Sequence, residues 1–177
     1  IDGVLDCDLA AYCPIDSTLN VDLSALSAVC SLDGKNMVLF TNETFHQIAS
    51  KLRFKDRERN MIDHISADFM AKNYQIEILP FRLDMDRYSF IVGGQHSMDM
   101  SFNYHIDVLK SPIPFNFGLD VNGKVGDFKY NLGKTRYTIL FNRPIQHEEY
   151  RMSKQRRLDE EKVEICLLYT SDAADDK

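Results

Sequence analysis

Hydrophobic and polar residues alternate with a period of two along most of the chain. The longest such stretch runs from Met98 to Lys110. Its even positions from Met98 to Val108 are large and apolar, and its odd positions from Asp99 to Asp107 carry Asp, Ser, Asn or His. Because successive side chains of a β-strand point to opposite faces of its sheet, this stretch predicts one long strand with an apolar face and a polar face exposed to solvent. A second sheet, a helix or a bound apolar ligand must then cover the apolar face.

The same alternation predicts further strands on both sides of this one, over residues 4–13, 26–32, 61–72, 75–79, 81–85, 88–92, 115–121 and 128–132. Turn-forming residues predict turns at Asn73-Tyr74, Gly93-Gly94 and Asn122-Gly123, and a break or bend at Asp33-Gly34. Pro80 marks a bulge or an edge position. Consecutive strands with short turns favour an antiparallel meander over a βαβ fold, which needs a helix between each pair of strands.

One segment has helical spacing and predicts a short amphipathic helix around residues 43–53. Its apolar residues recur at i, i+3, i+4 and i+7, at Phe45, Ile48, Ala49 and Leu52. A helix this short needs packing to persist, and the apolar face of a neighbouring sheet is its natural partner. The fold class expected is therefore mainly β, a long antiparallel meander sheet with one short amphipathic helix.

The composition changes near the C-terminus. Residues 146–165 are dense in Arg, Lys and Glu and predict a charged tail that is either helical or flexible. The run CLLYTSDAADD within residues 166–177 looks like a translated sequencing-library adapter, so we expect this segment to be foreign to the natural protein and disordered. The chain also starts inside a patterned segment, and we interpret residues 1–145 as a fragment of one β domain.

Charge and cysteine content narrow the possible functions. The formal net charge is −6, which argues against nucleic acid because its binders concentrate Lys and Arg on one surface. No apolar run is long enough for a membrane-spanning helix. Cys7 and Cys13 lie too far apart on one predicted strand to form a disulfide. Cys30 could pair with either of them only if its strand is adjacent.

Candidate catalytic chemistry is sparse. The chain has no Gly-rich phosphate loop, no GxSxG and no HExxH. The densest polar cluster is His96, Asp99, His105 and Asp107, where a metal site is conceivable. The alternation instead assigns Asp99, His105 and Asp107 to the solvent side of their strand. We therefore expect no enzyme activity, no metal and no cofactor.

The apolar face of the predicted sheet is larger than one short helix can cover. The exposed remainder would exceed the apolar patches that soluble monomers carry. The sheet must roll up on itself, be covered by chain outside this sequence, or hold an apolar ligand. The residues expected to line a groove for such a ligand are Phe81, Leu83, Met85, Met98, Met100, Phe102, Tyr104, Ile106, Phe115 and Phe117.

The stretch from Phe81 to Tyr137 resembles the C-terminal region of AsmA-like proteins, particularly those of Bacteroidetes. The resemblance rests on the motifs DRY at 86–88, VGG at 92–94, MDMSFNYHI at 98–106, VLKSPIPF at 108–115 and GKxxDFKYxLxK at 123–134. It extends over about residues 1–145.

This resemblance implies a long, curved β-sheet with a hydrophobic groove, similar to bridge-type lipid-transfer proteins. It implies a periplasmic location, with an anchor in the inner membrane through an N-terminal helix that this chain does not contain. The expected function is outer-membrane biogenesis and phospholipid transport between the inner and outer membranes. The expected partners are phospholipid acyl chains and components of both membranes, and the family has no catalytic residues to transfer.

Two other interpretations remain open from the residues themselves. A fragment of an outer-membrane β-barrel would also alternate, but its apolar residues would face lipid and it would lack an internal amphipathic helix. A soluble β-sandwich that binds carbohydrate would favour exposed aromatic platforms, and the chain contains no Trp.

Overall fold

The computed structural model describes residues 2–38, 61–85, 88–111, 114–124 and 126–175. Its strands are β1 Asp2–Tyr12, β2 Ser27–Val38, β3 Met61–Lys72, β4 Gln75–Met85, β5 Tyr88–Ser97, β6 Ser101–Lys110, β7 Phe117–Lys124 and β8 Asp127–Gly133. A short 3-10 helix, Leu23–Ala25, precedes β2, and two α-helices follow the sheet: α1, Thr138–Asn142, and α2, Pro144–Asp175. The helix predicted around residues 43–53 lies outside the described residues.

The eight strands form one sheet in which they lie in chain order, and every neighbouring pair is antiparallel. The predicted fold class, a mainly β antiparallel meander, is confirmed. Within the described residues, β1 pairs only with β2 and β8 pairs only with β7. Among these residues the sheet is therefore open at both edges, and it is at most slightly curved.

The long helix α2 lies against the polar face of the sheet. Tyr150 Oη donates to the Pro80 carbonyl on β4, and Lys162 Nζ pairs with Asp8 on β1. Between them, Ser27 Oγ on β2 donates to Glu161 Oε1 at 2.7 Å. The helix rises about 18 Å from Tyr150 to Lys162, and the three strand spacings from β4 to β1 add up to about 14 Å. The helix therefore spans the sheet from β4 to β1.

Two apolar clusters form the core. The first lies on the strands β3 to β7 and has Ile62, Met85, Phe90 and Val108 as its buried members. The second fills the space between α2 and the sheet and consists of Val29, Leu79, Leu158 and Ile165, with Ala10, Tyr12 and Met70 packed against them. Leu158 and Ile165 are seven residues apart, so they share the α2 face that points at the sheet. The charged segment 146–165 is thus helical and docked on the sheet.

The predicted turn at Asn73-Tyr74 and the predicted bulge at Pro80 are both present. Asn73 and Tyr74 have φ values of 51° and 64°, as the primed turn of a two-residue hairpin requires. The register of β4 against β5 shifts between Ile78 and Phe81, which places Pro80 at a bulge. A bulge tolerates proline because the ladder is already interrupted there.

Three other predictions from turn-forming residues were wrong. Gly93-Gly94 lies inside β5, Asn122-Gly123 inside β7 and Asp33-Gly34 inside β2. At Gly94 the glycine serves close packing instead of a turn. Its φ is 150°, and a Cβ there would lie 2.3 Å from the Asn103 carbonyl oxygen on β6. A glycine inside a strand often marks such a close approach of two backbones.

The expectation of disorder over residues 166–177 was wrong for the part that the structure describes. Helix α2 continues without a break from Pro144 through Cys166 to Asp175. Tyr169 packs edge-on against Tyr12 of β1 with ring centroids 5.5 Å apart, and its hydroxyl donates to the Ala11 carbonyl. The run is apolar enough to continue the helix and to contact the sheet.

Gly94→Ala should lower the free energy of unfolding by about 2 kcal/mol or more, since the added methyl group collides with the backbone of β6 and the positive φ is unfavourable. Urea unfolding followed by circular dichroism measures this. Gly133→Ala is the matched control, because nothing lies within 4 Å of a Cβ there. The control should change stability by less than about 0.5 kcal/mol. Equal effects of the two variants would contradict the packing role of Gly94.

Candidate functional site

The apolar face of the sheet carries seven of the ten predicted groove residues on strands. They are Phe81, Leu83 and Met85 on β4, Phe102, Tyr104 and Ile106 on β6, and Phe117 on β7. The antiparallel register aligns them in rows that cross the sheet. One row runs from Leu83 through Phe90 and Val108 to Phe117. The structure therefore brings these seven residues together on the face opposite α2.

Exposure varies along this face. Met85 is buried, and Leu83, Ile106 and Phe117 are partly buried against the same cluster. Residues at the two edges are far more open. On β1, Leu5 is 46 % exposed and Leu9 is 61 % exposed, and on β8, Leu132 is 70 % exposed. The apolar surface available to a ligand is thus concentrated toward the edges of the sheet.

An aromatic stack continues the apolar face on β5, β6 and β8. Phe102 stacks on Tyr104 with ring centroids 5.2 Å apart, and it also contacts Phe128. His96 stacks beside them, and its Nδ1 lies 2.9 Å from Tyr104 Oη. Burial raises the pKa of Tyr104, so its hydroxyl remains protonated at neutral pH. This group is apolar in its rings and polar at one partly buried hydrogen bond.

The three remaining predicted groove residues lie outside the strands. Phe115 precedes β7 and is 65 % exposed. Met98 and Met100 form the turn between β5 and β6, so the strand predicted from Met98 begins only at Ser101. The Met98 N–H donates to the Tyr74 carbonyl, and Met100 has a φ of 68°. The alternation therefore failed to locate this strand's start.

Asp99 explains why the chain turns at this point. Its Oδ1 accepts hydrogen bonds from the backbone N–H and the hydroxyl of Ser101, and Lys124 Nζ pairs with its Oδ2 at 3.0 Å. Asp and Ser side chains bind nearby backbone groups in this way and so compete with strand hydrogen bonding. Local side-chain chemistry outweighed the alternating pattern here.

His105 and Asp107 were expected to face solvent, and this expectation was wrong. His105 is 3 % exposed and Asp107 is 0 % exposed. Gly118 and the segment that follows β8 close over them: a Cβ at Gly118 would lie 2.2 Å from the Lys134 carbonyl oxygen. The odd positions of β6 are indeed polar, but at these two positions the protein itself covers them.

The Asp107 carboxylate binds the start of the C-terminal helices. It accepts hydrogen bonds from the backbone N–H groups of Arg136, Tyr137 and Thr138 at 2.7 to 3.1 Å, and from the Thr138 hydroxyl at 2.8 Å. His105 bridges to a second carboxylate, with Nε2 2.8 Å from Asp107 Oδ1 and Nδ1 2.7 Å from Asp120 Oδ1. Both ring nitrogens therefore face carboxylate oxygens.

The charged groups of this cluster are paired with one another or with N–H donors, and the His105 and Asp107 side chains are buried. Arg136 adds its guanidinium to Asp120 Oδ2 at 2.9 Å, so both carboxylates are paired with positive or N–H donors. Among the described residues, no group of three or more His, Cys, Asp or Glu side chains is arranged to hold a metal ion. The geometry makes the cluster an anchor for residues 136–138.

Two open clefts flank α2 on the polar face. One has a volume of about 640 Å³ and the other about 380 Å³. Their Arg and Lys side chains are paired with carboxylates, in the pairs Arg82–Asp84, Arg151–Glu148, Lys154–Asp68, Lys72–Glu164 and Arg157–Glu77. Three of these pairs, Lys154–Asp68, Lys72–Glu164 and Arg157–Glu77, join α2 to the sheet. The other two lie within one element, Arg82–Asp84 within β4 and Arg151–Glu148 within α2.

No helix within the described part of the chain is long and apolar enough to cross a membrane. Comparison of the chain with protein-family models, with curated proteins and with solved structures gave no match.

Asp107→Asn should lower the free energy of unfolding by about 3 kcal/mol or more, because an amide cannot replace a buried carboxylate that accepts from four donors and pairs with His105. Chemical unfolding measures this, and hydrogen exchange at Arg136, Tyr137 and Thr138 reports the released anchor. Asp127→Asn, an exposed position on β8 with the same charge change, is the control and should stay within about 0.5 kcal/mol. Unchanged exchange at residues 136–138 would contradict the anchor.

Hydrogen bonds from Ser101, together with Lys124, lower the pKa of Asp99 from 3.8 to about 2. Because the folded-state pKa is the lower one, its contribution to the turn is complete above about pH 4 and is lost as the pH falls toward 2. A carboxyl carbon NMR titration measures the pKa. Ser101→Ala should raise it most, and Lys124→Gln should raise it less. A titration unaffected by Ser101→Ala would contradict this account.

Proposed function

We propose that this chain is a lipid-binding segment of an AsmA-like periplasmic protein that takes part in outer-membrane biogenesis and in phospholipid transport between the inner and outer membranes. In this proposal the apolar face of the sheet holds phospholipid acyl chains while the headgroups stay in water. The family assignment rests on the motif resemblance described above, and the mode of binding rests on the arrangement of the two faces of the sheet.

The observation that carries the proposal is the location of α2 on the polar face. The helix buries its apolar residues, Leu158 and Ile165, against that face, so it does not cover the apolar one. Leu5 and Leu9 at one edge and Leu132 at the other remain open to solvent. Exposed apolar side chains on one face of an open sheet are typical of a surface that contacts lipid or another apolar partner.

Physical chemistry favours an acyl chain as the occupant. Each buried CH₂ group stabilises the complex by about 0.8 kcal/mol. Rows of apolar side chains cross the sheet from strand to strand, so a chain could shift along the face while it keeps a similar buried area. Methionine and phenylalanine suit such a lining because Met is flexible and polarisable and Phe offers a large apolar surface.

The predicted groove residues would have two roles in this arrangement. Met85 is buried and would support the face from within its cluster. Phe102, Tyr104 and Phe117 are only partly buried and would contact the acyl chain directly. Met100, which is 52 % exposed in the turn before β6, would lie at the end of the face, where a chain could enter or leave.

The proposal predicts that the chain, extracted and purified in mild detergent, carries phospholipid, measured by mass spectrometry and by phosphate per mole of protein. Leu132→Asp should lower the bound lipid by about tenfold, because it places a charge on an exposed position of the apolar face. Asn131→Asp introduces the same side chain on the opposite face of β8 and should bind lipid like the unmodified protein.

Lipid-free protein, or equal loss of lipid in both variants, would contradict the proposal. Circular dichroism spectra of the two variants should match, since both positions are exposed. This separates a loss of binding from a loss of folding.

A further inference from the structure

Strands β1 and β2 bring two cysteines side by side. In their register Cys7 lies opposite Leu32, and Cys30 lies opposite Leu9, so the two cysteines are diagonal neighbours. Both occupy the face that points away from α2, because the residues that alternate with them, such as Asp8, contact the helix. Their sulfur atoms are 3.6 Å apart.

We propose that Cys7 and Cys30 form an intrachain disulfide by exchange with an external disulfide, such as oxidised glutathione or the disulfide form of a thiol–disulfide oxidoreductase. A disulfide has a sulfur separation of about 2.05 Å, so the two sulfurs need to approach each other by about 1.5 Å. Small rotations of both side chains, together with movement of β1, supply this. Among the described residues β1 is hydrogen-bonded to β2 alone, so it can adjust more easily than a central strand.

The other two cysteines are placed elsewhere. The Cys13 thiol donates to the Asp22 carbonyl at 3.6 Å, beyond the end of β1. Cys166 is exposed on α2, and that helix packs on the opposite face of the sheet. The proposal therefore concerns one pair among the four cysteines of the chain.

The order of the chemical steps follows from exposure. Cys7 is exposed, whereas Cys30 is partly buried, and burial together with the hydrogen bond to Cys7 raises the pKa of the Cys30 thiol to about 11. The Cys7 thiolate attacks the external disulfide, which forms a mixed disulfide and releases one external thiolate. The Cys30 thiolate then attacks the Cys7 sulfur and releases the second. Two protein thiols are oxidised and one external disulfide is reduced to two thiols.

The bond would fix the edge of the sheet. It joins β1 to β2 across the 15–24 connection and restricts fraying of the edge strand. Leu5 and Leu9, which flank Cys7 on the same face, are two of the exposed apolar side chains described above. The inference goes beyond the proposed lipid binding and does not depend on it.

The test is to incubate the reduced 177-residue chain with oxidised glutathione, alkylate it with iodoacetamide and measure its mass. We expect two of the four cysteines, Cys13 and Cys166, to be alkylated, and a peptide map that links Cys7 to Cys30 with the loss of two hydrogens, about 2 Da. Cys13→Ser is the matched control and should form the same bond at the same glutathione ratio. Cys7→Ser and Cys30→Ser should form no bond at this position.

Three outcomes would overturn the proposal. They are alkylation of all four cysteines after oxidation, a bond that maps to Cys13 or Cys166, and a glutathione adduct on Cys7 that Cys30 does not displace. Alkylation of unoxidised protein under denaturing conditions confirms that all four thiols react with the reagent. A negative result can therefore be assigned to the geometry of the pair.

Discussion

The buried carboxylate of Asp107 is the interaction on which the arrangement of the sheet and its helices depends. An ion with no solvent exposure must have its charge compensated by the protein. The backbone N–H groups of residues 136–138 and the His105 ring provide this compensation. The segment after β8 therefore lies across β7 and β6 on the polar face of the sheet. From there α1 and α2 continue over the same face.

Buried polar and charged pairs also join α2 to the sheet along its length. Lys154 pairs with Asp68 of β3, which is 8 % exposed, and Glu161 accepts from Ser27 of β2, which is 4 % exposed. Removal of one partner from such a pair leaves the other charge or polar group unsatisfied, and this costs more than the pair contributes. Leu158 and Ile165 add apolar contacts between these pairs.

This arrangement has a consequence for the rest of the molecule. Because the C-terminal helices pack on the polar face, they do not cover the apolar face. Its centre packs into a cluster around Phe90 and Val108, while its edges at Leu9 and Leu132 stay open. The proposed lipid surface and the Cys7–Cys30 pair both lie on this face, so α2 competes with neither.

The sequence by itself determined which segments form strands, although not where β6 begins. Alternation is a local property that does not depend on how the strands pair. The sequence also located the Asn73-Tyr74 turn and the Pro80 bulge, where the backbone preferences of single residues determine the local conformation. Tertiary structure decided which face was covered. A period of two separates polar from apolar positions, but it cannot show that a charged helix far along the chain will bury the polar ones. Asp107 likewise appeared solvent-exposed in the sequence, because alternation does not show that residues 136–138 bind it and bury it in the fold.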